Sequence, residues 1–346
     1  MITTETAQAL LLEFYGHSGK LTPLDGDEDH NFRVECTDGK KYTLKIMHRG
    51  CEEDAVALPC AALQHLGNLT ANIPRVIPSL AGKPFESVCL REDEDDHRLI
   101  WLLSWCSGTL LVDFSPHTES LYRSFGRTLA VVDIALRGFK HPAMHIQSCW
   151  QLTNAMDSAS KVNDIAGETR ELARDIFARF ETSVLDKLSC LPESVIHNDA
   201  NDFNVLVNSV DGQAVVDGLF DFGDLSWQPV ICEVAIALAY LIHRKDDPLA
   251  VCACFLEAYC EVYPLSEPEL NVLFDLICTR LAVTVAISSH RQKREPDNKY
   301  IVYSQRPSKN AIRALTQIGP ERAKKTFMET CGLLAIEPGK GIDKLA

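Results

Sequence analysis

From about Leu110 onward the spacing of apolar residues changes, and this change constrains the fold more than any other feature of the chain. "ESLYRSFGRTLAVVDIAL", "GETRELARDIFARFETSVLDKL", "PVICEVAIALAYLIHR", "PLAVCACFLEAYCEVY" and "EPELNVLFDLICTRLAVTVAISSHRQKR" all repeat apolar residues at helical spacing. Upstream, "NFRVEC" and "KKYTLKIM" read as strands joined by the turn "TDGK", and "RLIWLLSW" reads as a buried strand leading into the turn-prone "CSGT". One helix is expected there, over "AVALPCAALQHLGNL", with Pro59 confining it to a first turn or kinking it. The expected fold is therefore α+β and bilobal. A β-rich N-terminal lobe covers 1–103, a connector 104–109, and a mainly helical C-terminal lobe 110–346. Only the segment from Val195 to Phe222 breaks the helical texture, with short strands and turns.

Charge and cysteine usage narrow the function. The 346 residues carry 34 Lys and Arg against 48 Asp and Glu, a net charge of -14. That balance argues against general nucleic-acid binding and favours solubility; an anionic ligand would need local cations or a metal. The 13 Cys form no C-x-x-C pair and no zinc spacing, so they read as reduced thiols of a cytoplasmic protein. The N-terminus has no basic region followed by an apolar block, and "VICEVAIALAYLI" contains Glu233 and is too short to span a bilayer. No membrane partner is expected.

The interrupting segment carries the chemistry. "VIHNDANDFNVLV", Val195 to Val207, sets one His, two Asp and three Asn between strand-like residues. His197-x-Asp199 is followed by Asn204, then by "DFGD" from Asp221 to Asp224, and Lys45 lies far upstream in "YTLKIM". Phosphoryl transfer from a nucleotide needs such a set. Asp199 suits the carboxylate that orients the attacking hydroxyl and accepts its proton. Asp221 and Asn204 offer hard oxygen ligands for magnesium, which keeps several waters and needs few protein groups. Lys45 suits neutralisation of the α/β phosphates. His197 suits bracing of the loop better than proton transfer. No G-x-x-x-x-G-K-[ST] and no G-x-G-x-x-G occurs, so other common nucleotide sites are set aside.

H-x-D-x-x-x-x-N followed by D-F-G, with an upstream strand Lys, resembles the protein-kinase-like superfamily. "HNDANDFNVLV" and "LFDFGD" are closer to its small-molecule branch, the aminoglycoside phosphotransferase and choline kinase group. "SSHRQKREPDNKYIVYS" and the overall length look most like the hydroxylysine kinase subfamily. The resemblance runs from about Leu24 to Leu315. It implies Asp199 as catalytic base, Asn204 and Asp221 as Mg2+ ligands, and Lys45 on the phosphates of GTP or ATP. It places Asn31 and Phe32 in the nucleotide-covering stretch "DGDEDHNFRV", and Ser104 to Cys106 where backbone groups would meet the nucleotide base. There are departures. The covering stretch has only Gly26. The acidic partner of Lys45 is unassigned among Glu52, Glu53 and Asp54. Glu233 stands where the family often has Asp, and reads as a brace.

Plainer readings compete at several positions. Asp224 is a candidate contact for a substrate ammonium, or a residue that supports the metal ligands from behind; Asp202 would hold a substrate amine, or is simply solvated. Arg291 or Lys293 would meet a substrate carboxylate, or serve the C-terminal end of a helix. "REDEDDHR" reads as a solvated turn. The expected activity is transfer of a γ-phosphoryl to a hydroxyl of a small amine-bearing molecule, 5-hydroxylysine first. Choline, ethanolamine, homoserine and aminoglycosides are the alternatives, and an inactive nucleotide-binding scaffold is the alternative of another class. A peptide acceptor is disfavoured, because His-Arg-Asp and Ala-Pro-Glu segments are missing. The choice of GTP or ATP and the oligomeric state stay open at this level.

Overall fold

The computed structural model describes residues 2–26, 29–69, 72–90, 96–296 and 303–334. Most of the acidic "REDEDDHR" run, 91–95, lies outside the described residues. The chain opens with a helix, α1 (Thr4–Tyr15), which the strand-dominated reading of the first hundred residues does not anticipate. Thr3 caps its first turn, Gly16 ends it at φ 66°, and Ala7, Leu10, Leu11 and Tyr15 form its buried stripe. Then come β1 (Gly19–Leu24), β2 (His30–Cys36) and β3 (Lys41–Ile46). α2 (Asp54–His65), β4 (Val76–Ile77), β5 (Glu86–Cys89) and β6 (His97–Ser104) follow. The six strands form one antiparallel sheet in the order β1-β2-β3-β6-β4, with β5 also on β6. α2 runs through Pro59 rather than stopping at it. Burial of Val56, Leu58, Cys60, Ala62 and Leu63 offsets the one hydrogen bond that an internal proline removes.

The period of two in β3 and β6 decides where Lys45 points. Leu44, Ile46, Ile100 and Leu102 face the core beneath α1, while Leu99, Trp101 and Leu103 face the larger core shared with α2 and the helical half. Lys45 pairs in register with Trp101 and so stands on that second face, its Nζ 5.6 Å from the Trp101 ring centroid. β6 is buried along most of its length because it serves both cores.

The remainder is mainly helical, with five short strands among the described residues. β7 (Thr109–Leu110) is followed by α3 (Glu119–Leu136), α4 (Met156–Ala159), α5 (Thr169–Ser183) and α6 (Leu185–Leu188). β8 (Glu193–Ile196), β9 (Val205–Val210), β10 (Gln213–Leu219) and β11 (Ser226–Pro229) form the central interruption. α7 (Ile231–Leu241), α8 (Pro248–Val262), α9 (Glu267–Arg294), α10 (Gln305–Ile318) and α11 (Pro320–Thr330) complete the chain. The strands make two small antiparallel sheets, β10-β9-β7 and β11-β8. α3 crosses α8 closely at Gly126, where a Cβ would lie 2.2 Å from the Phe255 carbonyl oxygen, so no other residue fits there without a shift. α9 starts at a capping box of Ser266 and Glu269 and is long and apolar enough to cross a membrane. In this fold it is the buried core helix of the second half, packed against α5, α7, α10 and α11.

Candidate active site

The residues singled out around 197–204 and 221–224 occupy two loops at the ends of the short strands. The first joins β8 to β9; the second joins β10 to β11. Asn198 and Asp221 turn the chain through left-handed backbone, at φ 66° and 62°. Asn and Asp accept that region better than other non-glycine residues, and the cost is held by the surrounding bonds. His197 is fully buried, with Nε2 3.0 Å from the Phe220 carbonyl and Nδ1 accepting the Asp199 N–H at 3.2 Å. These partners set the tautomer, with the proton on Nε2. Burial pushes its pKa down to about 4, so the ring is neutral. It ties the two loops together.

Both oxygens of Asp199 are held. Oδ2 accepts from Asn201 Nδ2 at 2.9 Å and Asn204 Nδ2 at 2.8 Å, and Oδ1 accepts from an Arg280 guanidinium nitrogen at 3.1 Å. Arg280 comes from the middle of α9, and its side chain is 1% exposed. It also donates to the Trp150 carbonyl at 2.8 Å and lies between the Trp150 and Tyr240 rings, 5.2 and 5.5 Å from their centroids. Burial, and next the nearby Asp224 charge, push the Asp199 pKa up, while Arg280 opposes the rise. With three donors on its two oxygens and no acceptor beside them, the carboxyl is held as the carboxylate. Arg280 lies outside the motifs that single out the other site residues. A signal was present: "LICTRLAV" sets one charge in an apolar helical run, and a buried charge needs a partner.

The second loop meets the N-terminal sheet. Lys45 Nζ donates to Asp221 Oδ1 at 2.9 Å, with side-chain exposures of 11% and 45%. Burial works to lower the lysine pKa, but the charge and hydrogen bond of Asp221 outweigh it and hold it raised. Lys45 in turn holds Asp221 below the usual carboxylate range. The pair is therefore ionised at neutral pH. Glu52, Glu53 and Asp54 are exposed at the start of α2, and the carboxylate on Lys45 is Asp221 instead.

This geometry agrees with what the chain is similar to. The model of the phosphotransferase enzyme family, APH, matches residues 20–267. The chain belongs to that family. Over 362 aligned positions this phosphotransferase is 27% identical to the hydroxylysine kinase of Mus musculus, covering 95% of this chain and 93% of the relative. Among solved structures, an amicoumacin kinase in complex with AMP-PNP, Ca2+ and Ami superposes with a TM-score of 0.66 at 13% identity, covering 91% of this chain and 97% of that one. A microcompartment-associated aminopropanol kinase superposes at 0.65 and 18% identity, covering 96% and 99%. The fold is that of the protein-kinase-like phosphotransferases, as the sequence led us to expect.

Several residues of this phosphotransferase lie elsewhere than the motif implied. Asn31 shares the Lys45 face of the sheet and is opposite Lys45 in register, with a buried Oδ1 that has no partner among the described residues. Phe32 turns to the other face and is buried beneath α1, so its side chain does not line the cleft. The Ser104 N–H donates to the Arg75 carbonyl, and the Ser104 hydroxyl accepts from the Arg75 N–H. Trp105 N–H donates to Lys41. Among the described residues nothing in the chain engages the Cys106 N–H, and burial pushes the Cys106 thiol up to about 12. Asp202 is buried in the field of Arg244 and Lys245, with its pKa pushed up to about 6 by burial. Asp224 is different: its charge bears directly on Asp199, and its carbonyl accepts from Asn198 Nδ2 at 3.0 Å. Lys293 and His290 are both bound to Asp164 at 2.6 Å. Arg291 lies 3.7 Å from Glu295, about 16 Å along the axis of α9 from Arg280, given 1.5 Å of rise per residue. The cation beside Asp199 is thus Arg280, and neither Arg291 nor Lys293 accompanies it.

Behind the loop, Glu233 Oε2 accepts the Asn198 N–H at 2.7 Å. Burial, and next the charge of Asp133, push Glu233 up to about 8; burial pushes Asp133, which accepts from the Tyr259 hydroxyl at 2.6 Å, up to about 7. Both folded-state values lie above those of an unfolded chain. The fold therefore keeps protons that the unfolded chain loses near pH 4, and stability should fall as pH rises from about 4 to 8, then level off. Asp133→Asn removes one of these protons. Urea unfolding at pH 5, 6.5 and 8 should show a shallower decline in the variant, by on the order of a few kcal/mol across the range. Parallel curves for the two proteins would remove Asp133 from this account.

Proposed function

We propose that this phosphotransferase moves the γ-phosphoryl of GTP or ATP to the hydroxyl of an amino alcohol or hydroxy amino acid, with 5-hydroxylysine as the leading acceptor. The observation that carries the reading is Asp199, held at both oxygens beside the Lys45–Asp221 pair. A carboxylate fixed in this way can align one acceptor hydroxyl and take its proton as the O–P bond forms. Lys45 would meet nucleotide phosphates at the junction of the sheet and the helical half, with residues 104–109 as the hinge between the lobes. Asp199, Asp221 and Asp224 make the cleft acidic, which suits a substrate carrying an ammonium; Asp224, whose charge acts on Asp199, is the carboxylate proposed to receive it.

The same residues fit magnesium. Asn204 spends its Nδ2 on the carbonyl and Oδ2 of Asp199, which leaves its amide oxygen for a cation, and Lys45 occupies only Oδ1 of Asp221. Two oxygen ligands suffice for an ion that completes its shell with water and phosphate oxygens. Bound there, magnesium would neutralise charge on the transferring phosphates. Asp221→Asn should weaken nucleotide binding in the presence of magnesium by roughly 10- to 100-fold, and change metal-free binding little. Isothermal titration with and without the metal checks this, and equal weakening in both would argue against the ligand role.

Similarity to hydroxylysine kinases supports a hydroxy amino acid. A second reading, an amino alcohol without a carboxylate, is favoured by the distance of Arg291 from Asp199 and the engagement of Lys293 by Asp164. Nucleoside diphosphate release, followed with GTP or ATP and magnesium, separates them. The acceptors to compare are 5-hydroxylysine, homoserine, choline, ethanolamine and an aminoglycoside. Selective turnover of 5-hydroxylysine is the expected result. Preference for ethanolamine or choline would move the assignment to the second reading, and nucleotide binding without turnover of any acceptor would oppose both.

A further inference from the structure

Cys260 and Cys331 bring two thiols together at a place remote in sequence. Cys260 is in the last turn of α8, and Cys331 follows the last turn of α11. Their sulfurs are 3.0 Å apart in a hydrogen-bonded pair, and both residues are partly exposed. The backbone at this point is well anchored. The Cys331 N–H donates to the Phe327 carbonyl at 3.0 Å, Phe327 and Met328 are buried, and α11 packs on both α8 and α9. Moving from 3.0 Å to a bond of about 2.05 Å asks roughly 1 Å of two side chains that already face each other. The exposed cysteines Cys89, Cys149 and Cys190 are at other places on the chain.

We propose that Cys260 and Cys331 are a two-thiol oxidation site, closed to a disulfide by a small disulfide such as oxidised glutathione. The Cys260 thiolate attacks one glutathione sulfur and expels a glutathione thiolate. Cys331, once deprotonated, then attacks the Cys260 sulfur of the mixed disulfide and expels the second glutathione. Two protein thiols are oxidised to one disulfide, and one oxidised glutathione is reduced to two thiols. The shared hydrogen bond lowers the Cys260 pKa and raises that of Cys331, which supports Cys260 as the first nucleophile. The bond would close a loop containing α9, and with it Arg280, together with α10 and α11. It would tether the last helix to α8 without moving the residues around Asp199. Its effect would be on the persistence of the fold under oxidising conditions, and it stands independently of the proposed acceptor.

The full chain is equilibrated with oxidised glutathione, alkylated, digested without reductant and analysed by mass spectrometry, and its melting midpoint is compared with that of the reduced protein. The expected result is a peptide linked through Cys260 and Cys331, and a midpoint higher by on the order of 5 °C. Cys331→Ser should retain glutathione on Cys260 and lose both the linked peptide and the shift; Cys260→Ser should lose the linked peptide as well. Recovery of both wild-type thiols in alkylated form would overturn the proposal. So would a Cys260–glutathione adduct that wild-type Cys331 fails to resolve. A linked peptide with no rise in midpoint would overturn the stabilising role.

Discussion

Asp199→Asn should lower kcat by about 10³-fold while leaving nucleotide affinity within a few-fold of wild type, within the range by which a positioned base accelerates proton transfer. The substitution keeps the size of the side chain but removes the charge and the proton acceptor. It also disturbs the local bonds. One oxygen faces Arg280 and the other faces two amide donors, so an asparagine amide must turn its NH₂ toward a donor on one side or the other. Some loss of stability is expected, and for that reason turnover must be read beside nucleotide binding. A variant that binds nucleotide normally and retains a tenth or more of wild-type kcat would remove Asp199 as the base. Equal loss of binding and turnover would point to a collapsed loop.

Arg280→Met should be costly in a different way. Its guanidinium is buried, donates to Asp199 and to the Trp150 carbonyl, and is covered by two aromatic rings. Removing one member of a buried ion pair typically costs about 3–5 kcal/mol, because the other charge is left without compensation. The remaining Asp199 keeps its two amide donors but loses the bond that fixes Oδ1. We expect kcat to fall by roughly 10- to 100-fold with nucleotide KM little changed, since Arg280 acts on the reaction through Asp199. Arg280→Lys should recover only part of this, because an ammonium cannot reproduce the planar fork that reaches both partners. If the two residues work as a unit, Arg280→Met should add much less than its own factor on top of Asp199→Asn. Full additivity of the two losses in kcat would show that Arg280 serves the fold alone.

The two predictions rest on residues of very different legibility. Asp199, Asn201 and Asn204 fall within one short loop, and a carboxylate followed at five residues by an amide is visible as a string. Arg280 is 81 residues from the group it touches. Sequence periodicity places it inside a helix and, as a charge among apolar neighbours, marks it as needing a partner, but it does not name the partner. The helical run of α1 is hard to read for another reason: its stripe of Ala7, Leu10, Leu11 and Tyr15 is short and lies beside obvious strands. A local rule about one lost hydrogen bond does not end α2 at Pro59, because five neighbouring side chains are buried along it. A pair of adjacent residues does not act as one motif at Asn31 and Phe32. Neighbours on a strand point to opposite faces, so Asn31 and Phe32 cannot both look into the cleft.

The sequence by itself determined the change from strand-like to helical spacing near Leu110, the grouping of polar residues from His197 to Asn204, and the two-residue rhythm that sets Lys45 apart from Leu44 and Ile46. These are local matters, governed by spacing along one strand, one helix or one turn. Tertiary structure alone decided that Lys45 meets Asp221 across 176 residues, that Arg280 rather than Arg291 stands at Asp199, and that Cys260 touches Cys331. Such pairings depend on which faces of distant elements are pressed together when the cores close. Period specifies a face, but only packing specifies what that face meets.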